Sequence, residues 1–349
     1  MKLLWIDEHD AVTRSMWDKS HALAGAALQQ HWAYGSAMQA LGVPCLRCVV
    51  MDQGEPVAFA QFLVRNWFGI FSIALCTRGP VWLGASAAPS TPAYLNQVIF
   101  RREVHRLIHR SLPQRELRLV LFSPDFSDAT EAGVDRLHRV MTGYATVMMD
   151  IADEPELLRE RLPGSWKNRL QVAERSALKV ERVGSKPSQY QWLLDRDAAM
   201  QQKKGYESLP MNFVPVYQSV SRNGTYSEGS AGVPTASPKG ARSPRKSAGR
   251  VEDALFTVRA DRDGEPVAAM MFLRHGSVAT YQVGWSDPLK RLPGAHNLLL
   301  WNAMLQLRQS GIRRMDLGGV NTGRSAGVAR FKIGTGGKVV VLAGTYLAL

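Results

Sequence analysis

Asp263-Gly264-Glu265-Pro266-Val267-Ala268 repeats, with a single change, the earlier run Gln53-Gly54-Glu55-Pro56-Val57-Ala58. The two lie 210 positions apart. In each, a polar residue and a glycine interrupt apolar runs, the signal of a β-hairpin turning at Gly54 or Gly264. Outward from each hairpin come further apolar strands, then a helix at 94–111 or 297–310, then a strand at 117–122 or 314–317. A six-residue match is weak alone, but shared order over about 70 residues predicts two copies of one α/β unit.

Length and composition agree with two units. A chain of 349 residues exceeds one ordinary domain, and 45% hydrophobic content fills two cores. The expected division is 1–150 and 151–337. A formal charge of +13 suits polyanions such as RNA, nucleotide pyrophosphates or an anionic membrane surface, and equally a basic enzyme with a solvated surface. Residues 222–250 are poor in apolar residues and carry Arg222, Lys239, Arg242, Arg245, Lys246 and Arg250. They read as a flexible basic insertion in the second unit, either a solvated loop or an aid to holding RNA or lipid.

Several classes fall away. Cys45 and Cys48 form the one C-x-x-C, with Cys76 as the third cysteine, and a closed zinc site needs four ligands. On a strand an i, i+3 pair points to opposite faces, so reduced buried thiols are expected. His105 and His109 share a helix face without an acidic or thiol partner nearby, which reads as a surface pair; no metal is expected. The P-loop and the dinucleotide fingerprint are absent. The N-terminus lacks the apolar run of a signal peptide and no apolar stretch reaches membrane-spanning length, so a cytoplasmic protein is expected, with peripheral membrane contact open.

The C-terminal stretch SGIRRMDLGGVNTGRSAGVARFKIGTGGKVVVLAGT, residues 310–345, is dense in glycine. It reads as a helix end at Gly311, a strand to Leu317, a glycine turn, the basic and aromatic Arg330-Phe331-Lys332, a second glycine turn and a closing apolar strand. Gly318 and Gly319 would let backbone approach a ligand.

Three segments together resemble the FemAB family, aminoacyl- or acyl-transferring enzymes built from two GNAT (N-acetyltransferase-like) domains. They are Arg78-Gly79-Pro80-Val81-Trp82, the basic helix-to-strand run 165–180 around Trp166-Lys167-Asn168-Arg169, and Asp316 to Gly337. The resemblance implies a mixed α/β fold of two tandem GNAT-like domains, with a closing strand over 339–347 returning to complete the first, so that 338–349 joins 1–150. The helical coiled-coil arm of some members is absent. It also implies that Phe331-Lys332 lies at the reaction centre, the lysine stabilising the oxyanion formed when an amine attacks an ester. Asp316 is then the candidate base or amine-orienting group.

A GNAT fold splays two strands to expose amides to the donor and holds its phosphates at the next helix N-terminus. The acetyl-CoA loop pattern is approximated by Arg291-Leu292-Pro293-Gly294-Ala295-His296 before Asn297, with a bulky His296 at its last small position. The first unit lacks the pattern, so only the second is expected to bind a donor this way. Arg291, Gly294, Asn297, Gly318, Gly319 and Arg330 are candidate donor contacts. Lys167, Arg169 and Arg175 are candidate phosphate or RNA contacts, or an ordinary basic helix face.

The leading expectation is transfer of an aminoacyl group from aminoacyl-tRNA to an amine of a cell-envelope precursor of peptidoglycan type. An acyl-CoA donor acting on an amino sugar of an exported polysaccharide is the second. A scaffold that binds nucleotide or RNA without chemistry is the third.

Overall fold

The computed structural model describes residues 1–67, 71–84, 91–113, 117–205, 209–210, 212–223, 253–290, 292–320 and 326–349. The expected insertion 222–250 lies outside these beyond residue 223. The first half runs β1 (Lys2–Ile6), α1 (Ala11–Ala24), α2 (Trp32–Ala40), β2 (Cys45–Asp52), β3 (Glu55–Trp67), β4 (Phe71–Thr77), β5 (Val81–Trp82), α3 (Pro92–Ser111), β6 (Leu117–Ser123), α4 (Ala129–Ala132) and β7 (His138–Met141). The second runs β8 (Ala145–Asp150), α5 (Pro155–Arg161), α6 (Gly164–Glu174), β9 (Lys179–Val183), α7 (Pro187–Lys204), α8 (Phe213–Asn223), β10 (Leu255–Arg262), β11 (Glu265–His275), β12 (Val278–Ser286), α9 (Ala295–Gln309), β13 (Arg314–Gly319), α10 (Ala326–Ile333), β14 (Lys338–Val341) and β15 (Thr345–Ala348).

The repeated hexapeptides are the same object twice. Gln53 and Gly54 both have positive φ, as do Asp263 and Gly264, which gives each hairpin the two-residue turn whose twist matches its strands. Each also carries a bulge at the same place, where Met51 meets Pro56 and Asp261 meets Pro266. Proline has no N–H for the ladder, and a bulge is one of the few sites in a sheet that accepts it.

The duplication extends to the sheets. Sheet one has the order β1-β2-β3-β4-β6-β15-β7, and sheet two β9-β10-β11-β12-β13-β8-β14, with β5 added beside β3. In both, the fourth and fifth strands are parallel and their other neighbours antiparallel.

One strand crosses between the halves. β8 opens the second half and pairs with β13 in sheet two, while β15 leaves the second half and pairs with β6 in sheet one. The expected boundary at 150 therefore falls instead within 142–144, and the single closing strand expected at 339–347 is two strands in different sheets. β14 belongs to sheet two through β8; only β15 returns. The two connections cross in contact: a Cβ on Gly143 would lie 1.7 Å from the carbonyl oxygen of Leu342, and one on Gly344 2.4 Å from that of Met141. Glycine alone fits so close a backbone crossing.

Packing joins the halves further. One face of sheet two buries Trp166 and Leu170 of α6 and Leu299 and Trp301 of α9; the other meets α7, α8 and, from the first half, α2. His21 and His31 of the first half pack edge-on or tilted against His275 at the end of β11, with ring centroids 5.5 and 6.1 Å from its own. The cysteines are free, with Cys48 and Cys76 buried. His105 corrects an expectation: it is buried, bonding the Arg101 carbonyl at 2.8 Å, because the inward stripe of α3 runs through Val98, Arg101, Val104, His105 and Ile108. Among the described residues no helix is long and apolar enough to cross a membrane.

Candidate active site

Sheet two opens where sheet one stays shut. β12 and β13 pair at three positions only, Val278 with Arg314, Ala279 with Met315 and Thr280 with Asp316. Beyond these, β12 continues to Ser286 and β13 to Gly319 without pairing to each other. The equivalent β4 and β6 pair at every position from Phe71 with Leu117 to Thr77 with Ser123. Backbone groups left off a ladder need another partner, so this gap offers donors to an incoming carbonyl.

The end of β13 is bent. Gly318 has φ of +73°, and the register against β8 shifts between Asp316 and Gly319. The turn folds back on Asp316, whose Oδ1 accepts from the Gly318 amide at 2.8 Å and from Thr146 Oγ1 of β8 at 2.6 Å. Its Oδ2 accepts from Nη1 of Arg78, which comes from the first half. Arg78 Nη2 also pairs with Asp125 at 2.6 Å, and the Tyr144 hydroxyl bonds to Arg78 as well. Burial pushes the Arg78 guanidinium down, but Asp125 and Asp316 more than offset it and keep it charged. Asp316 is thus buried with both oxygens taken, while the side chain of Asp125 is 32% exposed at the rim.

Lys332 reaches the other side of the same turn. It sits on α10, 8% exposed, and donates to the Gly319 carbonyl at 3.0 Å with its ammonium 5.2 Å from the centre of the Tyr281 ring. Burial pushes its pKa down to about 8, with Asp316 acting in the opposite sense. The following Gly-Thr-Gly-Gly anchors the helix: Thr335 Oγ1 donates to the Lys332 carbonyl at 2.7 Å and accepts from the Gly337 amide at 3.2 Å. A nearly dry cation thus stands beside the opening of β12 and β13.

Comparisons with known proteins bear on this arrangement. Residues 241–332, ending on Lys332, match the acetyltransferase (GNAT) domain family. The crystal structure of FemX superposes over 99% of this chain and 97% of its own, with a TM-score of 0.71 and 12% identity. The chain has the fold of FemX. A conserved protein of unknown function from Bacteroides thetaiotaomicron VPI-5482 is similar over 98% of this chain and 97% of its own, with a TM-score of 0.54 and 11% identity. No curated protein matches the chain. The resemblance read from the three sequence segments holds at the level of the tandem GNAT fold.

Within this FemX-like fold the other expected site residues are dispersed. Phe331 points away from Lys332 into packing, its ring 6.4 Å from that of Trp166 and 6.0 Å from that of His296. Arg330 is exposed on α10. Arg291 lies outside the described residues. Gly294 precedes α9 with φ of +78°, and a Cβ there would lie 2.3 Å from the carbonyl oxygen of Arg169. Its small size serves the packing of α6 against α9. Asn297 is buried in the first turn of α9, and its Nδ2 has no hydrogen-bond partner. On α6, Trp166, Leu170 and Ala173 face inward, leaving Arg169 exposed, as is Arg175 just past its end, while Lys167 donates to the Glu160 carbonyl at 3.2 Å.

Sequence reasoning missed Asp125, Thr146 and Tyr144 and gave Arg78 no role. The signal for Arg78 was present, since its R-G-P-V run was one of the three segments that carried the resemblance.

Proposed function

We propose that the chain is an N-acyltransferase whose reaction centre is the gap between β12 and β13, with Lys332 as the catalytic cation. The observation that carries this reading is the buried ammonium beside the place where β12 and β13 part, in the half that matches the GNAT family. An amine attacks the donor carbonyl, the new C–N bond forms, and Lys332 stabilises the oxyanion until the C–O bond to the donor breaks, the proton lost by the amine passing to the departing donor oxygen as its hydroxyl. Asp316, with both oxygens engaged, serves as a positioning residue that fixes the Gly318-Gly319 turn; Asp125, at the rim, is the better placed carboxylate to orient the amine.

The favoured donor is aminoacyl-tRNA, and the favoured acceptor an amine on a cell-envelope precursor, which places the reaction in the cytoplasm or at the inner membrane surface. Two features support this donor. The charge of +13 suits RNA. The start of α9, where a GNAT enzyme would hold a CoA pyrophosphate, is packed by α6 and faces the Arg169 carbonyl oxygen, an acceptor that repels phosphate. The GNAT family match favours a second reading, in which acyl-CoA is the donor and an amino sugar the acceptor.

Transfer from charged tRNA to amine acceptors, measured with and without RNase and beside acetyl- and longer acyl-CoAs, tests the reading. RNase-sensitive transfer is expected, with Lys332→Ala reducing the rate about 100-fold or more. Undiminished transfer after RNase, or from acyl-CoA alone, would replace the first donor by the second. Full activity in Lys332→Ala would remove the proposed centre.

A further inference from the structure

The first half grips β12 and β13 where they begin. Ser277 Oγ donates to the Ala22 carbonyl at 2.6 Å, and Nη2 of Arg314 donates to the Ala24 and Gly25 carbonyls at 3.0 and 2.8 Å, all at the end of α1. The contact is close: a Cβ on Gly276 would lie 2.7 Å from the Ala22 Cα. His275, 1% exposed, completes it. Its ring packs edge-on against that of His21 on α1, and its Nε2 shares a hydrogen bond of 2.8 Å with Thr280 Oγ1.

Thr280 is the last residue of β12 that pairs with β13, and its partner there is Asp316. Register partners share one face of a sheet, so the Thr280 hydroxyl and the Asp316 carboxylate lie on the same side. Two residues on, β12 bulges at Gln282, since Phe272 of β11 faces Tyr281 while Met271 faces Val283. A bulge bends its strand and ends pairing. The direction in which β12 leaves β13 is therefore set between the Thr280 rung and this bulge. We infer that His275 is a positioning residue for the reaction centre: through Thr280 it fixes the rung at which β12 and β13 part. The inference rests on the proposed centre for its effect on rate, whereas the placing of the strand is a property of the fold alone.

Two pairs of variants of the full chain test it. Thr280→Val keeps the shape and loses the hydroxyl, where Thr280→Ser keeps the hydroxyl; His275→Leu loses the ring nitrogen, where the amide of His275→Gln replaces Nε2. One readout is kcat and KM for transfer from charged tRNA or acyl-CoA, whichever the chain uses. The other is amide hydrogen exchange across 281–286, with 71–77 of sheet one as internal reference. Thr280→Val and His275→Leu are expected to lower kcat about tenfold with KM little changed, and to speed exchange across 281–286 about threefold or more. Thr280→Ser and His275→Gln should stay within about twofold of wild type in both. Unchanged exchange across 281–286 in Thr280→Val, an equal rise across 71–77, a loss in Thr280→Ser as deep as in Thr280→Val, or faster exchange with unaltered kcat would each overturn the inference. Full transfer in Lys332→Ala, or none in wild type, strikes the proposed centre instead, and the exchange comparison then decides whether His275 places the strand.

Discussion

A lysine ammonium with a pKa near 8 is charged through the neutral range and loses its charge just above it. If Lys332 acts as the cation of the oxyanion site, transfer should fall along an alkaline limb centred near pH 8, and Lys332→Arg, which stays protonated, should lift that limb. A pH profile of the maximal rate decides this, and an unchanged limb in the arginine variant sinks the assignment. The Arg78 to Asp316 pair makes a separate prediction. Asp316→Asn leaves a buried guanidinium with Asp125 as its one remaining carboxylate, and urea unfolding should show a loss of about 3 kcal/mol or more. Asp125→Asn, at a wetter partner, should cost less. Lys332 and Asp316 were legible because each sits inside a glycine-framed motif. The pairing of Arg78 with Asp316 spans 238 positions, and nothing local records so distant a partner.

At the scale of elements, the hairpins were legible because their turns need φ values that Asp-Gly and Gln-Gly supply. Helix α10 was not, since its short Ala-Gly-Val-Ala-Arg-Phe-Lys-Ile lacks a readable amphipathic stripe between two glycine turns. The split of the closing strand into β14 and β15 was also hidden: the two are separated by only Leu342, Ala343 and Gly344, too little to tell a bend within one strand from a passage between sheets. The crossing itself is testable. Gly143→Ala drives a methyl into the Leu342 carbonyl and should lower stability by about 2 kcal/mol or more, read as a shifted urea midpoint with an unchanged slope. A midpoint equal to wild type would mean that the two connections are not held in contact.

Across the whole molecule, among the described residues, three buried histidines and the largely buried His31 tie stability to pH. Burial holds His21 and His31 down to about 3, His105 to about 4, and His275 well below its ordinary value. The unfolded chain protonates each near 6.5, so it takes up protons that the folded chain refuses once the pH drops below that point. Stability should be full above about pH 6.5 and decline toward pH 3 to 4, each histidine contributing roughly 1.4 kcal/mol per pH unit. Urea midpoints at pH 7.5, 6 and 5 would show it, and a flat series would contradict burial of these rings. Since His21 and His31 come from one half and His275 from the other, both halves should lose structure in a single transition.

The return of β15 also sets a timetable for the ribosome. β7 has β15 as its partner in sheet one, and β15 is made about 200 residues later, near the very end of the chain. At about 5–20 residues per second, translation leaves that edge without its neighbour for roughly 10–40 s. The amino-terminal half therefore waits, unfinished and with an open strand edge, until β15 emerges. A chain cut before residue 345 lacks β15, so the first domain, not the second, is the one left incomplete.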